Sequence, residues 1–137
     1  MTQYDFGDGK GPVAAHQHSN GGGWVADTAY VGGNAYVGGN AKVDGNAEVF
    51  GNARICCDAL VSANAKVFGN ALVSGYAKVY GNAEVYDNTM IYGNAMIYGN
   101  ARICGDAYVS GDTKVYGEMM KFVVDNSRCC VIIQIED

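Results

Sequence analysis

From Val25 to Val115 an aliphatic residue recurs every six positions, and a small residue follows it four positions later. Counted in sixes from Val25, fifteen full units end at Lys114, and Val43-Asp44-Gly45-Asn46-Ala47-Glu48 is typical. The first position is Val or Ile in every unit, including Ile55, Ile91, Ile97 and Ile103. The fifth is Ala except at Thr89 and Thr113; the third is mostly Gly and the fourth mostly Asn, with Asp58, Asp106 and Asp112 as close substitutes. Ala47 and Val49 are two apart, so in an extended segment they share one side while Glu48 and Phe50 share the other. Gly51-Asn52 then supplies a residue that accepts positive φ and one that tolerates the left-handed region, which bends the chain. Each unit therefore predicts a very short strand and a corner. A helix is excluded, because a Gly-Asn pair every six residues penalises each of its turns.

The aliphatic-to-small spacing resembles the hexapeptide-repeat, left-handed parallel β-helix superfamily. The Gly-Asn-Ala-x-Val-x-Gly wording is similar to a bacterial and phage branch of β-solenoid proteins. The resemblance covers residues 24–117 and implies an all-β, single-domain fold in which three units make one triangular coil of about eighteen residues. Fifteen units then give about five coils, which at roughly 4.8 Å each form a prism on the order of 24 Å long.

Stacking at that interval sorts the outward residues into rows. The first face carries Glu48, Lys66, Glu84 and Arg102, alternating in sign, beside Phe50, Phe68, Tyr86 and Cys104. The second carries Lys42, Leu60, Lys78, Met96 and Lys114 beside Asp44, Ser62, Tyr80, Tyr98 and Tyr116. The third carries Tyr36, Arg54, Leu72, Met90 and Tyr108 beside Gly38, Cys56, Ser74, Tyr92 and Ser110. Stacked rings and opposite charges stabilise neighbouring rungs. Apolar rows pointing away from a core also mark partner surfaces. The expected binding surface is therefore Phe50, Phe68, Tyr86, Tyr80, Tyr98, Tyr116, Tyr92 and Tyr108.

The ends depart from the repeat. Residues 1–23 form a glycine-rich lead-in, with Trp24 expected to fold over the open end of the first coil. In residues 118–137, Lys121-Phe122-Val123-Val124 and Cys130-Val131-Ile132-Ile133-Gln134-Ile135 read as two strands around Asp125-Asn126-Ser127. Such a hairpin would cover the last coil, whose strand edges and core are otherwise open. Phe122, Val124, Val131, Ile133 and Ile135 are the residues expected to pair subunits into a homo-oligomer.

Net charge is -5, with single charges scattered along the chain. There is no cationic surplus to neutralise phosphates, so direct nucleic-acid binding is not expected. The first six residues lack a basic start and an apolar core, so no signal peptide is expected. The longest strongly apolar stretch, Cys129 to Ile133, is far short of a membrane span. Five cysteines include the adjacent pairs Cys56-Cys57 and Cys129-Cys130, and neighbours rarely bond each other without strain. Reduced thiols and a location in the cytoplasm of a bacterial host follow as expectations.

Many members of the resembling superfamily are acyltransferases that use a histidine general base and a loop interrupting the repeat. Here the repeat holds no histidine and no insertion. His16 and His18 precede it; in extended chain they point the same way, but no spacing demands a third ligand from Asp5 or Asp8. Gly7-Asp8-Gly9-Lys10-Gly11 lacks the Walker spacing of a phosphate loop. No catalytic residue, cofactor or metal is therefore expected. The expected function is non-catalytic protein binding, with a phage or mobile-element inhibitor of a host protein, of anti-defence or anti-CRISPR type, as its concrete form. An acyltransferase-like enzyme and a self-assembling structural solenoid are the alternatives.

Overall fold

The computed structural model describes residues 2–116, together with the backbone of residues 122–123 and 130–131. Regular structure among them is entirely β. Strands β1 (Gln3–Asp5), β2 (Pro12–Gln17) and β3 (Trp24–Ala26) come first. Strands of two residues then recur every six positions, from β4 (Tyr30–Val31) to β18 (Lys114–Val115). Each pairs in parallel with the strand eighteen residues away, so Lys66 aligns with Glu48 below it and Glu84 above it. The result is three parallel stacks and a β-solenoid of about five coils.

The coils are joined by backbone hydrogen bonds running from each rung to the next. Lys42 N–H donates to the Ala59 carbonyl at 3.0 Å and Tyr98 N–H to the Val115 carbonyl at 2.9 Å. Inside, the Val or Ile of the first position and the Ala of the fifth are buried through the length of the prism. The two exceptions at the fifth position satisfy their hydroxyls locally. Thr89 Oγ1 donates to the Tyr86 carbonyl at 2.8 Å, and Thr113 Oγ1 to the Ser110 carbonyl at 2.7 Å. A buried hydroxyl is tolerated only with such a partner.

The corners differ from expectation in one respect. Positive φ belongs to the third position alone: Gly45 and Gly51 have φ of 64° and 67°, and Cys57, Ala63 and Asp87 occupy the same region in their units. The fourth-position Asn residues do not adopt it. Their value lies in the side chain, which bonds up the corner from coil to coil. Asn52 Nδ2 donates to Asn70 Oδ1 at 3.4 Å, Asn70 to Asn88 at 3.3 Å, and Asn88 to Asp106 at 3.3 Å. An Asp can end such a ladder because it needs only to accept.

At the start, β1 and β2 form an antiparallel hairpin that extends the second face beyond β3. Residues 18–23 cross the beginning of the third face, where Val37 N–H donates to the Asn20 carbonyl and Gly23 N–H to the Val37 carbonyl. Trp24 does not cover the open coil as expected. Val25 is the fully buried residue of β3, so strand alternation turns Trp24 outward. There it stacks on Tyr4 at 4.6 Å, and Tyr4 meets Phe6 edge-on at 4.9 Å.

At the other end, β19 (Phe122–Val123) and β20 (Cys130–Val131) pair antiparallel, in keeping with the expected hairpin. The intervening turn lies outside the described residues. β20 lies beside the rung Arg102–Ile103. Next to that rung the expectation of reduced thiols fails, because Cys104 is buried and disulfide-bonded. The strain argument spoke only against bonds between adjacent cysteines, not against pairing between distant parts of the chain. Cys56 and Cys57 are free thiols.

Candidate binding surface

The register places the expected rows as the spacing required, and the side chains show what each row does. Phe50, Phe68 and Tyr86 stack at centroid distances of 4.9 Å with planes within 3°. Tyr80, Tyr98 and Tyr116 stack at 5.1 and 5.3 Å. Rung spacing sets these distances, and parallel rings at this separation fall within the range of offset stacks. Each ring covers its neighbour's face, so both rows are half-buried. Burial also pushes the Tyr80 hydroxyl pKa up from its ordinary value. These rows are partly consumed in holding rungs together.

The third face is different. Leu72, Met90 and Tyr108 align in register along its outside. Tyr108 is 69 % exposed, Tyr92 on the adjoining row 42 %, and Tyr76 at the corner 64 %. Tyr76 was missed by reading the repeat, although it interrupts the Asn column at a solvent corner, and that departure was its signal. Tyr30, 57 % exposed at the head of the charge row, was missed as well. At the start of the third face the Arg54 guanidinium lies 5.3 Å from the Tyr36 ring centroid. In the charge row, Arg102 Nη2 stands 3.8 Å from Glu84 Oε2, an exposed and loose contact. Pairs of this kind contribute about 0–1 kcal/mol.

A cleft of about 560 Å³ lies where the N-terminal hairpin meets the second face. Tyr4, Trp24, Leu60 and Asp58 line it together with Lys42 and Lys78. The Lys42 ammonium sits 5.5 Å from the Tyr4 ring centroid. His16 and His18 do not converge on one point. His16 Nδ1 pairs with Asp27 Oδ1 at 2.8 Å, whereas His18 Nε2 lies 3.0 Å from the Ala35 carbonyl. No group of three metal-ligating side chains occurs among the described residues.

Of the residues expected to pair subunits, Val124, Ile133 and Ile135 lie outside the described residues. Phe122 and Val131 are described only as backbone partners in β19 and β20.

Residues 91–102 match the YdcK β-solenoid repeat family, a stretch of two units within the solenoid. No curated protein matches the chain.

Proposed function

We propose that the protein is a non-catalytic docking prism that binds another protein through its third face. The observation that carries this reading is the group of exposed rings Tyr76, Tyr92 and Tyr108 beside the aligned Leu72 and Met90. Tyrosine suits such a role because it brings a large apolar area and a hydroxyl on a side chain with little conformational entropy to lose. The parallel coils behind it supply a stiff backing, so little ordering cost is added on docking. The more specific form, an inhibitor of a host protein carried by a phage or mobile element, draws on the likeness of the repeat wording to bacterial and phage solenoids.

The test compares two triple variants in capture of partners from bacterial host extract. Replacing Tyr76, Tyr92 and Tyr108 with Ser is expected to abolish capture of whatever the parent retains while leaving the circular dichroism spectrum intact. Replacing Tyr80, Tyr98 and Tyr116 is expected to lower thermal stability first. Capture that survives the first set and is lost with a still-folded second set would move the surface to the stacked rows.

A further inference from the structure

We propose that Cys56 and Cys57 form a dithiol clamp that captures a trivalent arsenic centre of the oxo-arsenical class, R–As=O. The two sulfurs are 3.4 Å apart. Cys57 is exposed at a corner and Cys56 is half-buried beside it. Both are free thiols on the outside of the solenoid.

Geometry separates three chemistries that a neighbouring pair could support. The first is closure to a disulfide. Adjacent Cα atoms are about 3.8 Å apart, below the roughly 4.4–6.8 Å that a relaxed disulfide spans. A ring closed here is strained and easily reduced, so the dithiol persists. The second is a tetrahedral metal such as zinc. Bonds of about 2.3 Å at the tetrahedral angle hold two sulfurs roughly 3.7–3.8 Å apart, and four ligands are needed. Among the described residues no group of three such ligands occurs, so a tetrahedral shell is not completed here. The third is a pyramidal centre. Two neighbouring thiols 3.4 Å apart are within reach of one such centre. An organic trivalent arsenical needs two sulfurs and no further protein ligand.

Proton balance points the same way. Burial, then the hydrogen bond and charge of Cys57, push the Cys56 thiol pKa up to about 11. A metal cation must displace the Cys56 proton among others, and the surroundings of Cys56 oppose that. With the oxo-arsenical the thiol protons end in water, so the net reaction releases none. Two S–H bonds and the As=O bond break, two As–S bonds form, and the oxygen leaves as water with both protons. Arsenic stays trivalent, and no oxidant or reductant is required.

The test uses the full chain, phenylarsine oxide and alkylation of the tryptic peptide 55–66, bounded by Arg54 and Lys66. That peptide carries no cysteine other than Cys56 and Cys57. One equivalent of phenylarsine oxide is expected to slow iodoacetamide labelling of both thiols together, by about tenfold or more. Protection should change little between about pH 6 and pH 8, because no net proton is released. In Cys57→Gly, which installs the residue most units carry there, Cys56 should label as fast with phenylarsine oxide as without. Cys56→Ser should leave Cys57 equally unprotected. Cys56 shielded as well in Cys57→Gly as in the parent would overturn the clamp. So would zinc ions protecting the pair better than phenylarsine oxide.

Discussion

A Cβ built on Gly93 would stand 2.7 Å from the Gly111 backbone nitrogen, in the next coil. Its φ of 70° is also one that L side chains resist. The third position of the unit is thus constrained twice, by backbone conformation and by the closeness of the rung beyond. Gly93→Ala is expected to lower unfolding free energy by roughly 1–2 kcal/mol or more in urea titrations. Ala63 shows the converse, with φ at 58° in a unit that departs from Gly. Relief of left-handed strain, less the added freedom of glycine in the unfolded chain, makes Ala63→Gly stabilising by about 0.5 kcal/mol. If the two substitutions moved stability in the same direction, the conformational account of the corner would fail. The fourth position works on a different principle. Its carboxamides bond along the corner, so Asn runs through the ladder and Asp fits at its end, for hydrogen-bonding reasons rather than for φ.

Strands and faces were legible in the sequence because the aliphatic period fixes both the inward residue and the interval between rungs. Val25, Val43 and Val61 are all inward on the second face, and that phase alone assigned Lys42 and Leu60 to its outside. What the period could not supply lay where the repeat ends or is broken. Trp24 belonged to the alternation of β3 and not to a plug, and Cys104 is disulfide-bonded. Tyr76 sits at a corner, outside the outward rows that the period assigns, and only its departure from Asn marks it. The N-terminal hairpin adds an electrostatic conflict that no local pattern announces. Asp44, on the second face, is buried with Oδ1 lacking any hydrogen-bond partner. Burial foremost, then the charge of Asp8, raises its pKa above 3.8, while Lys10 and Lys42 oppose the shift. A carboxyl whose folded pKa is raised favours the fold fully below its unfolded pKa. It loses that contribution as pH rises through the folded value. Asp44→Asn is therefore expected to melt higher than the parent at pH 7, with the difference closing near pH 3. A gap that stayed constant, or widened in acid, would show that the Asp44 charge is not what strains this junction.

Over the whole molecule, each interior coil touches chiefly the one above and the one below, so stability is close to a sum of rung-to-rung terms. Ile97 is fully buried in the second-face stack between Val79 and Val115. Ile97→Ala should cost about 2–5 kcal/mol locally. In a nearest-neighbour stack that loss weakens the adjoining contacts before the distant ones. The amides of Met96 and Tyr98, which bond to Thr113 and Val115, report the damaged contact. The amide of Lys42, bonded to Ala59, reports a contact three rungs away on the same face. Hydrogen exchange should therefore show Met96 and Tyr98 losing protection while Lys42 keeps most of its own. Equal loss at all three would mean that the prism opens as one unit. Selective loss would mean that the exposed tyrosines near its end, Tyr92 and Tyr108, stand on coils that can loosen without the rest. A tightly bound partner would then raise protection there first, at the amides of Tyr92 and Met90, before any change reached the N-terminal hairpin.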